Sequence, residues 1–300
     1  MVKMDIKNKK SKGTERKDEK DSTDIDILIM TATKPRHKYF AIRLLNHFIP
    51  MGKNIKVFIE KYEDDTPKNY NIKDEAETPL IKKHFQDFDK IEKEFFDDFN
   101  RKNKDILEKN IIRITSRNTI NNEENVKFLK KLNPKLVVVY ATSIIKDLII
   151  NLFPRRMLNM HAGLSPYYRG SGTNLYPFYN DELEYTGMTS MYINAGIDSG
   201  DIITQGRPVF EENDNTHTIG CKCAAVGADI MIAAVDRYLT QGPPPCAKQD
   251  LSKGRLYLRK HFNDEVIAKT YDNIKNGMVK RYCKNPKKAR MIIWGEEKEC

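Results

Sequence analysis

Residues 135–140 constrain the fold most, because Leu136, Val137, Val138, Val139 and Tyr140 follow one another without a polar interruption. A continuous β-branched run suits a strand buried on both faces, and such strands belong to parallel sheets covered by helices. A second apolar run at 25–30 opens the patterned part of the chain. It is followed by a loop at 31–37 and a helical pattern over 38–48. Strand, loop and helix in that order predict a doubly wound α/β domain. Further strands are expected at 55–59 and 111–114, with a helix over 122–132. Between them Ile81, Phe85, Phe88, Ile91, Phe95 and Phe99 recur at spacings of three and four, which predicts one face of an amphipathic helix.

Two later stretches carry the polar chemistry. Residues 157–161 read as a short strand, and alternation along it sends Asn159 and His161 to the same face. A loop of Gly, Pro and Tyr follows, a composition that shapes a pocket better than it packs a core. Residues 189–193 read as another strand, which delivers Asp198 from a turn flanked by Gly196 and Gly200. An amide, an imidazole and a carboxylate on strand ends and tight turns are suited to acyl chemistry. The Asn159 NH2 can serve an oxyanion without titrating. His161 can donate to that oxyanion or relay a proton, and Asp198 can orient and charge-stabilise the ring. The 31–37 loop has no G-x-G-x-x-G, so a dinucleotide reading has no support there. His37 reads as structural or solvent-facing, and His217 as part of the capping region of a helix over 216–238.

Asn-x-His at 159–161, the Ser-Pro-x-x-Arg-Gly loop at 165–170 and Gly-Ile-Asp-x-Gly-Asp-Ile at 196–202 together resemble the folate-dependent formyltransferase family. That family includes glycinamide ribonucleotide transformylase, methionyl-tRNA formyltransferase and N-formyltransferases of nucleotide-linked amino sugars. The resemblance covers residues 25–240. It implies a Rossmann-like, mostly parallel sheet in a catalytic domain over those residues, followed by a short helical and basic extension at 241–300. It also implies transfer of a formyl group from N10-formyltetrahydrofolate to an amine, with Asn159, His161 and Asp198 as the catalytic residues and no metal. Thr142, Ser143, Ile144 and Ile145 fall where the family holds the pterin ring, with Tyr192, Asn194 and Ile197 on the other wall. Thr33, Lys34 and Arg36 fall in the loop that faces the amine substrate, where an ordinary surface loop is the competing reading. Tyr167, Tyr168 and Arg169 are the corresponding candidates in the second loop.

For the acceptor, an aromatic loop would stack on a hexose or base, and basic residues would meet a diphosphate. The leading expectation is an amino sugar carried by a nucleotide, such as a dTDP-linked 4-amino-4,6-dideoxyhexose. Glycinamide ribonucleotide and methionyl-tRNA are the alternatives, and a folate- or RNA-binding protein on the same fold is the non-enzyme alternative. Family tRNA enzymes carry a C-terminal β-barrel, whereas residues 241–300 show helix, a basic tail and little strand alternation.

Composition adds boundaries. Residues 1–24 mix eight basic and six acidic residues with almost nothing apolar, which predicts a disordered, solvated tail. The net charge of +10 suits nucleic acid or an anionic small molecule equally. Five cysteines do not suggest a disulfide framework, and Cys221 and Cys223 have no second pair at zinc-site spacing. No apolar run was expected to reach the roughly 18–20 residues that span a bilayer. The expectation is therefore a cytoplasmic homodimer acting on a small nucleotide sugar, engaging neither membrane nor nucleic acid.

Overall fold

The computed structural model describes residues 24–61 and 78–300. The expected tail (1–24) and the polar loop read at 61–76 lie outside the described residues, apart from Asp24 and Lys61.

The chain opens with β1 (Ile27–Thr31), α1 (Pro35–Phe48) and β2 (Ile55–Lys61). It continues with α2 (Pro79–Lys102), α3 (Lys104–Asn110), β3 (Ile111–Ser116), α4 (Glu123–Leu132) and β4 (Leu136–Tyr140). Next come α5 (Asp147–Ile150), β5 (Met157–Ala162), β6 (Tyr168–Gly170), α6 (Tyr176–Asn180), β7 (Met188–Tyr192), β8 (Ile202–Gly206) and α7 (Thr216–Gln241). The remainder holds β9 (Arg255–Tyr257), α8 (Asp264–Lys275), α9 (Met278–Lys284), β10 (Arg290–Ile293) and β11 (Glu296–Glu299).

The main sheet has the order β11-β10-β8-β7-β5-β4-β1-β2-β3. From β3 to β5 all neighbours are parallel, and from β5 to β11 all are antiparallel. Alternation along the buried strands splits the core in two. Ile27, Ile29, Leu136 and Val138 face Phe40, Ala41 and Leu44 of α1 and Ala228 and Met231 of α7. Leu28, Met30, Val137 and Val139 face Leu129 of α4 and Ile149 of α5. That is why these strands read as unbroken apolar runs: both of their faces are covered. The strand order turns at the β1–β4 boundary, where open α/β sheets form their ligand crevice.

Four expectations change in detail. The first helix begins at Pro35 instead of residue 38, with proline at the first position, where its missing N–H costs nothing. The aromatic stripe of α2 is rotated by one residue near its end. Phe96 is fully buried against Cys221 and Ala224, while Phe95 is 46% exposed. α7 is long and apolar enough to cross a bilayer by length and composition, contrary to the expectation that no segment would be. Here its apolar side chains pack into the core with β5, β7 and α1. The one helix expected within residues 241–300 is divided into two, α8 and α9, and that stretch also contains strands. β10 pairs with β8 at the sheet edge, β11 pairs with β10, and β9 pairs in parallel with β6. Cys221 and Cys223 are buried in α7 packing, and burial pushes the Cys221 thiol up to about 12. Among the described residues no cluster of His, Cys, Asp and Glu could hold a metal.

Candidate active site

β5 lies between β4 and β7 and carries Asn159 and His161. β7 runs antiparallel to it, and the loop after Tyr192 brings Asp198 back level with both residues. Asp198 Oδ2 lies 3.3 Å from His161 Nδ1, and Asp198 Oδ1 accepts from Asn159 Nδ2 at 3.4 Å. The backbone N–H of Gly170 donates to the same carboxylate at 3.0 Å, so β6 holds it from the other side. Asp198 has φ +45°, a left-handed conformation that non-glycine residues adopt mainly where surrounding contacts enforce it.

The far edge of the imidazole is also occupied. His161 Nε2 lies 2.9 Å from the Tyr168 carbonyl, which can only accept, so a proton on this nitrogen is donated there, just as a proton on Nδ1 is donated to Asp198. A neutral ring can serve one of its two acceptors, whereas a protonated ring serves both. With both ring nitrogens engaged, the amide of Asn159 becomes the better-placed donor for an oxyanion, and His161 with Asp198 becomes the pair that can take up and hold a proton. His161 is 6% exposed, so this exchange takes place largely out of water.

The loop behind His161 is set by a buried network. Thr189 Oγ1 donates to the Gly163 carbonyl at 2.6 Å and accepts from Ser165 N at 3.0 Å. Gln205 Nε2 donates to the Ser165 carbonyl at 2.7 Å, and Gln205 Oε1 accepts from Ile292 N of β10. These polar groups are fully buried and satisfied by one another, which specifies one loop geometry.

Asn159, His161 and Asp198 line a cavity of about 880 Å³. All seven residues expected to hold a pterin lie on the same cavity: Thr142, Ser143, Ile144, Ile145, Tyr192, Asn194 and Ile197. The 142–146 turn is fastened by side chains. Ser143 N donates to Glu60 Oε2 at 2.6 Å, and Asn121 both donates to the Ile144 carbonyl and accepts from Lys146 N, each at 2.8 Å. Burial pushes the Tyr192 phenol up to about 12, so this wall is an uncharged ring. His37 is buried on the lining, and burial together with the Arg36 and Arg117 guanidiniums holds it well below its ordinary value.

The expected amine-side residues are distributed differently. Arg36 is on the cavity wall but is paired with fully buried Glu92 of α2 at 2.7 Å. Lys34 is paired with Asp89 at 3.1 Å, and neither it nor Thr33 is on the lining. Tyr167 stacks near Tyr185 with ring centroids 4.3 Å apart. Tyr168 is buried, with its hydroxyl on Glu182, and Arg169 is buried as well. Tyr168 and Arg169 are buried in β6, which presents main chain to His161 and Asp198, and Tyr167 just before it lies against Tyr185 off the cavity.

An unexpected aromatic on the cavity is Tyr257 of β9, stacked on Tyr176 at 3.6 Å. Leu258 and Arg259 lie beside it, and Arg117 and Asn118 come from the loop after β3. Sequence reasoning missed Tyr257, Leu258 and Arg259 because their approach depends on long-range pairing of β6 with β9, and Arg117 and Asn118 because theirs depends on Glu60 of the neighbouring strand β2. Glu60, next to last in β2, was the one visible signal; it is fully buried and paired with Arg117 at 2.9 Å.

A family model described as formyl transferase matches residues 85–235. Methionyl-tRNA formyltransferase of Syntrophomonas wolfei is 31% identical over 165 residues, covering 55% of this chain and 52% of that protein. Methionyl-tRNA formyltransferase of Caldicellulosiruptor saccharolyticus is 35% identical over 133 residues, covering 44% of this chain and 42% of that protein. The chain thus spans about half the length of the curated relatives it matches. Among solved structures, the N-formyltransferase of Helicobacter canadensis, in complex with folinic acid and dTDP-3-aminofucose, superposes with a TM-score of 0.52 at 18% identity. That match covers 83% of this chain and 80% of the other. A 4-N formyltransferase from Francisella tularensis gives a TM-score of 0.51 at 16% identity over 83% of this chain and 86% of its own. At these identities the likeness is one of fold.

Proposed function

The chain belongs to the formyl transferase family, and from that premise we propose that it moves a formyl group from a reduced-folate donor to the amine of a nucleotide-linked amino sugar. The observation that carries the formyl-transfer reading is the meeting of Asn159, His161 and Asp198 on the wall of one large cavity. N10-formyltetrahydrofolate would supply the formyl group as a substrate. The lining fits its pterin end: Ile144 is 68% exposed and Ile197 38% exposed, leaving aliphatic surface beside the main chain of the 142–146 turn.

Asn159 offers its NH2 to developing negative charge, a role commonly contributing about 3 kcal/mol in a water-poor site. His161 takes the proton released by the attacking amine while Asp198 holds the charged ring in place, and as the bond between the formyl carbon and N10 breaks that proton passes to the leaving N10. The amine comes from the acceptor, so no side chain of this protein serves as nucleophile. For the acceptor, Lys146 and Arg259 stand on the cavity and suit an anion such as a diphosphate, and Tyr257 offers a ring to a sugar or base.

A second acceptor, methionyl-tRNA, has its own support. The relatives with the higher sequence identity bear that name, and the net charge of +10 suits a polyanion. Incubation with N10-formyltetrahydrofolate and a panel of nucleotide-linked amino sugars, glycinamide ribonucleotide and charged initiator tRNA separates the readings. Mass spectrometry should show one added formyl group on a sugar nucleotide. Formylation of tRNA alone would replace the acceptor, and no product from any acceptor would overturn the enzyme reading.

A further inference from the structure

We propose that Gln249 is a positioning residue for the carboxylate of Asp198, an inference that rests on the formyltransferase reading above. Gln249 lies outside the region matched by the formyl transferase family model. It is 8% exposed, and its Nε2 donates to the Asp198 carbonyl at 3.0 Å and to the Gly200 carbonyl at 2.6 Å. An amide nitrogen has two hydrogens, and both are used on the one turn that delivers the catalytic carboxylate.

The turn needs such a donor. Asp198 is held at φ +45°, and Gly200 approaches the Tyr192 carbonyl so closely that a Cβ there would lie 1.7 Å from it. Two carbonyls converging in a buried place with no donor between them would be left unsatisfied. The backbone beside Gln249 is itself fixed, since Ala247 and Ile202 exchange two hydrogen bonds of 2.8 Å. A few residues on, β9 pairs with β6, whose Tyr168 carbonyl and Gly170 N–H contact His161 and Asp198. Residues 247–257 thus brace both acceptors of the imidazole from behind.

Gln249→Leu keeps the approximate size of the side chain and removes both donated bonds. Measured below its melting temperature, its kcat should fall roughly 10- to 100-fold with KM for N10-formyltetrahydrofolate little changed, because the shift misplaces the carboxylate and not the donor. Gln249→Glu supplies a hydrogen only while its new carboxyl is protonated. Its kcat, relative to wild type at each pH, should therefore recover toward acid pH. A purely structural role would lower the melting temperature, leave kcat at the wild-type value and give no acid-side recovery. Wild-type kcat in Gln249→Leu, with formyl transfer by the wild-type protein established, would overturn the inference alone. If Gln249→Leu does not fold, a Gln249→Glu pH profile parallel to wild type would do the same. A wild-type protein inert toward every acceptor would overturn the functional reading, and the inference with it.

Discussion

The main-chain carbonyl of Tyr168 and the Nε2 of His161 are 2.9 Å apart, on the edge of the ring opposite Asp198. Tyr168 therefore contributes to the site through its backbone while its aromatic side chain points elsewhere, and its carbonyl competes with the Asp198 carboxylate for the proton of a neutral ring.

If Asn159 is the oxyanion donor and His161 with Asp198 the proton-holding pair, each should be costly to remove. Asn159→Ala, His161→Ala and Asp198→Asn are each expected to lower turnover about a hundredfold or more. Steady-state kinetics, with circular dichroism to establish folding, checks this; near-normal rates would remove the proposed site.

Tyr168→Phe separates a structural ring from a substrate contact. The lost hydroxyl leaves Glu182 with Arg255, at 2.7 Å, as its remaining partner. Losing a hydrogen bond to a charged group should cost about 1.5–3 kcal/mol of stability. Chemical denaturation should register that cost while KM for the acceptor stays near wild type. A large rise in acceptor KM would return this ring to the substrate site.

Gly163 sits where no side chain fits. A Cβ there would lie 2.8 Å from both His161 Nε2 and the Tyr168 carbonyl. Gly163→Ala should push the two apart, costing roughly 1–3 kcal/mol in stability and most of the activity. Retention of full activity would mean that the contact between ring and carbonyl is dispensable.

A second histidine pair predicts how stability follows pH. Burial lowers His217 from 6.5 to about 4, and burial with repulsion from His217 lowers His84 to about 3. The rings are 4.6 Å apart, with the Tyr271 hydroxyl 2.9 Å from His84 Nδ1 and 3.4 Å from His217 Nε2. Above the unfolded value both are neutral in either state. As pH falls below it, the unfolded chain gains protons that the folded chain refuses. Stability should then decline by up to about 1.4 kcal/mol per pH unit for each histidine, down to the folded values. His217→Phe keeps a ring against Phe88 and should flatten part of this slope in urea denaturation between pH 6.5 and 4. An unchanged slope would show that His217 is not a source of the acid sensitivity.

Much of this was legible from sequence because the relevant signals are local. The apolar strands at 27–31 and 136–140 needed only their own composition, and Asn159 and His161 needed only the period of a strand. What was not legible depends on distant pairing. Tyr257 reaches the cavity because β9 lies beside β6, and Tyr167 and Tyr168 leave it for partners set by the fold, Tyr185 and Glu182. Strands of three and four residues such as β9, β10 and β11 carry too few positions for alternation to emerge, and β10 and β11 fall in the stretch that reads as a basic tail. Phe95 and Phe96 illustrate a different limit. Both fit a helical period, and only the position of α7 decides which is covered.

The pairing of β10 with β8 also bears on synthesis. Until residues 290–293 emerge from the ribosome, the edge of β8 beyond its bridge to Ala247 is open, a template for a neighbouring nascent chain. Once they dock, the edge passes to β11, where Glu296, Glu297, Lys298 and Glu299 are all exposed. Among the described residues β11 is the outermost strand on that side, and a charged outermost strand discourages pairing with another chain.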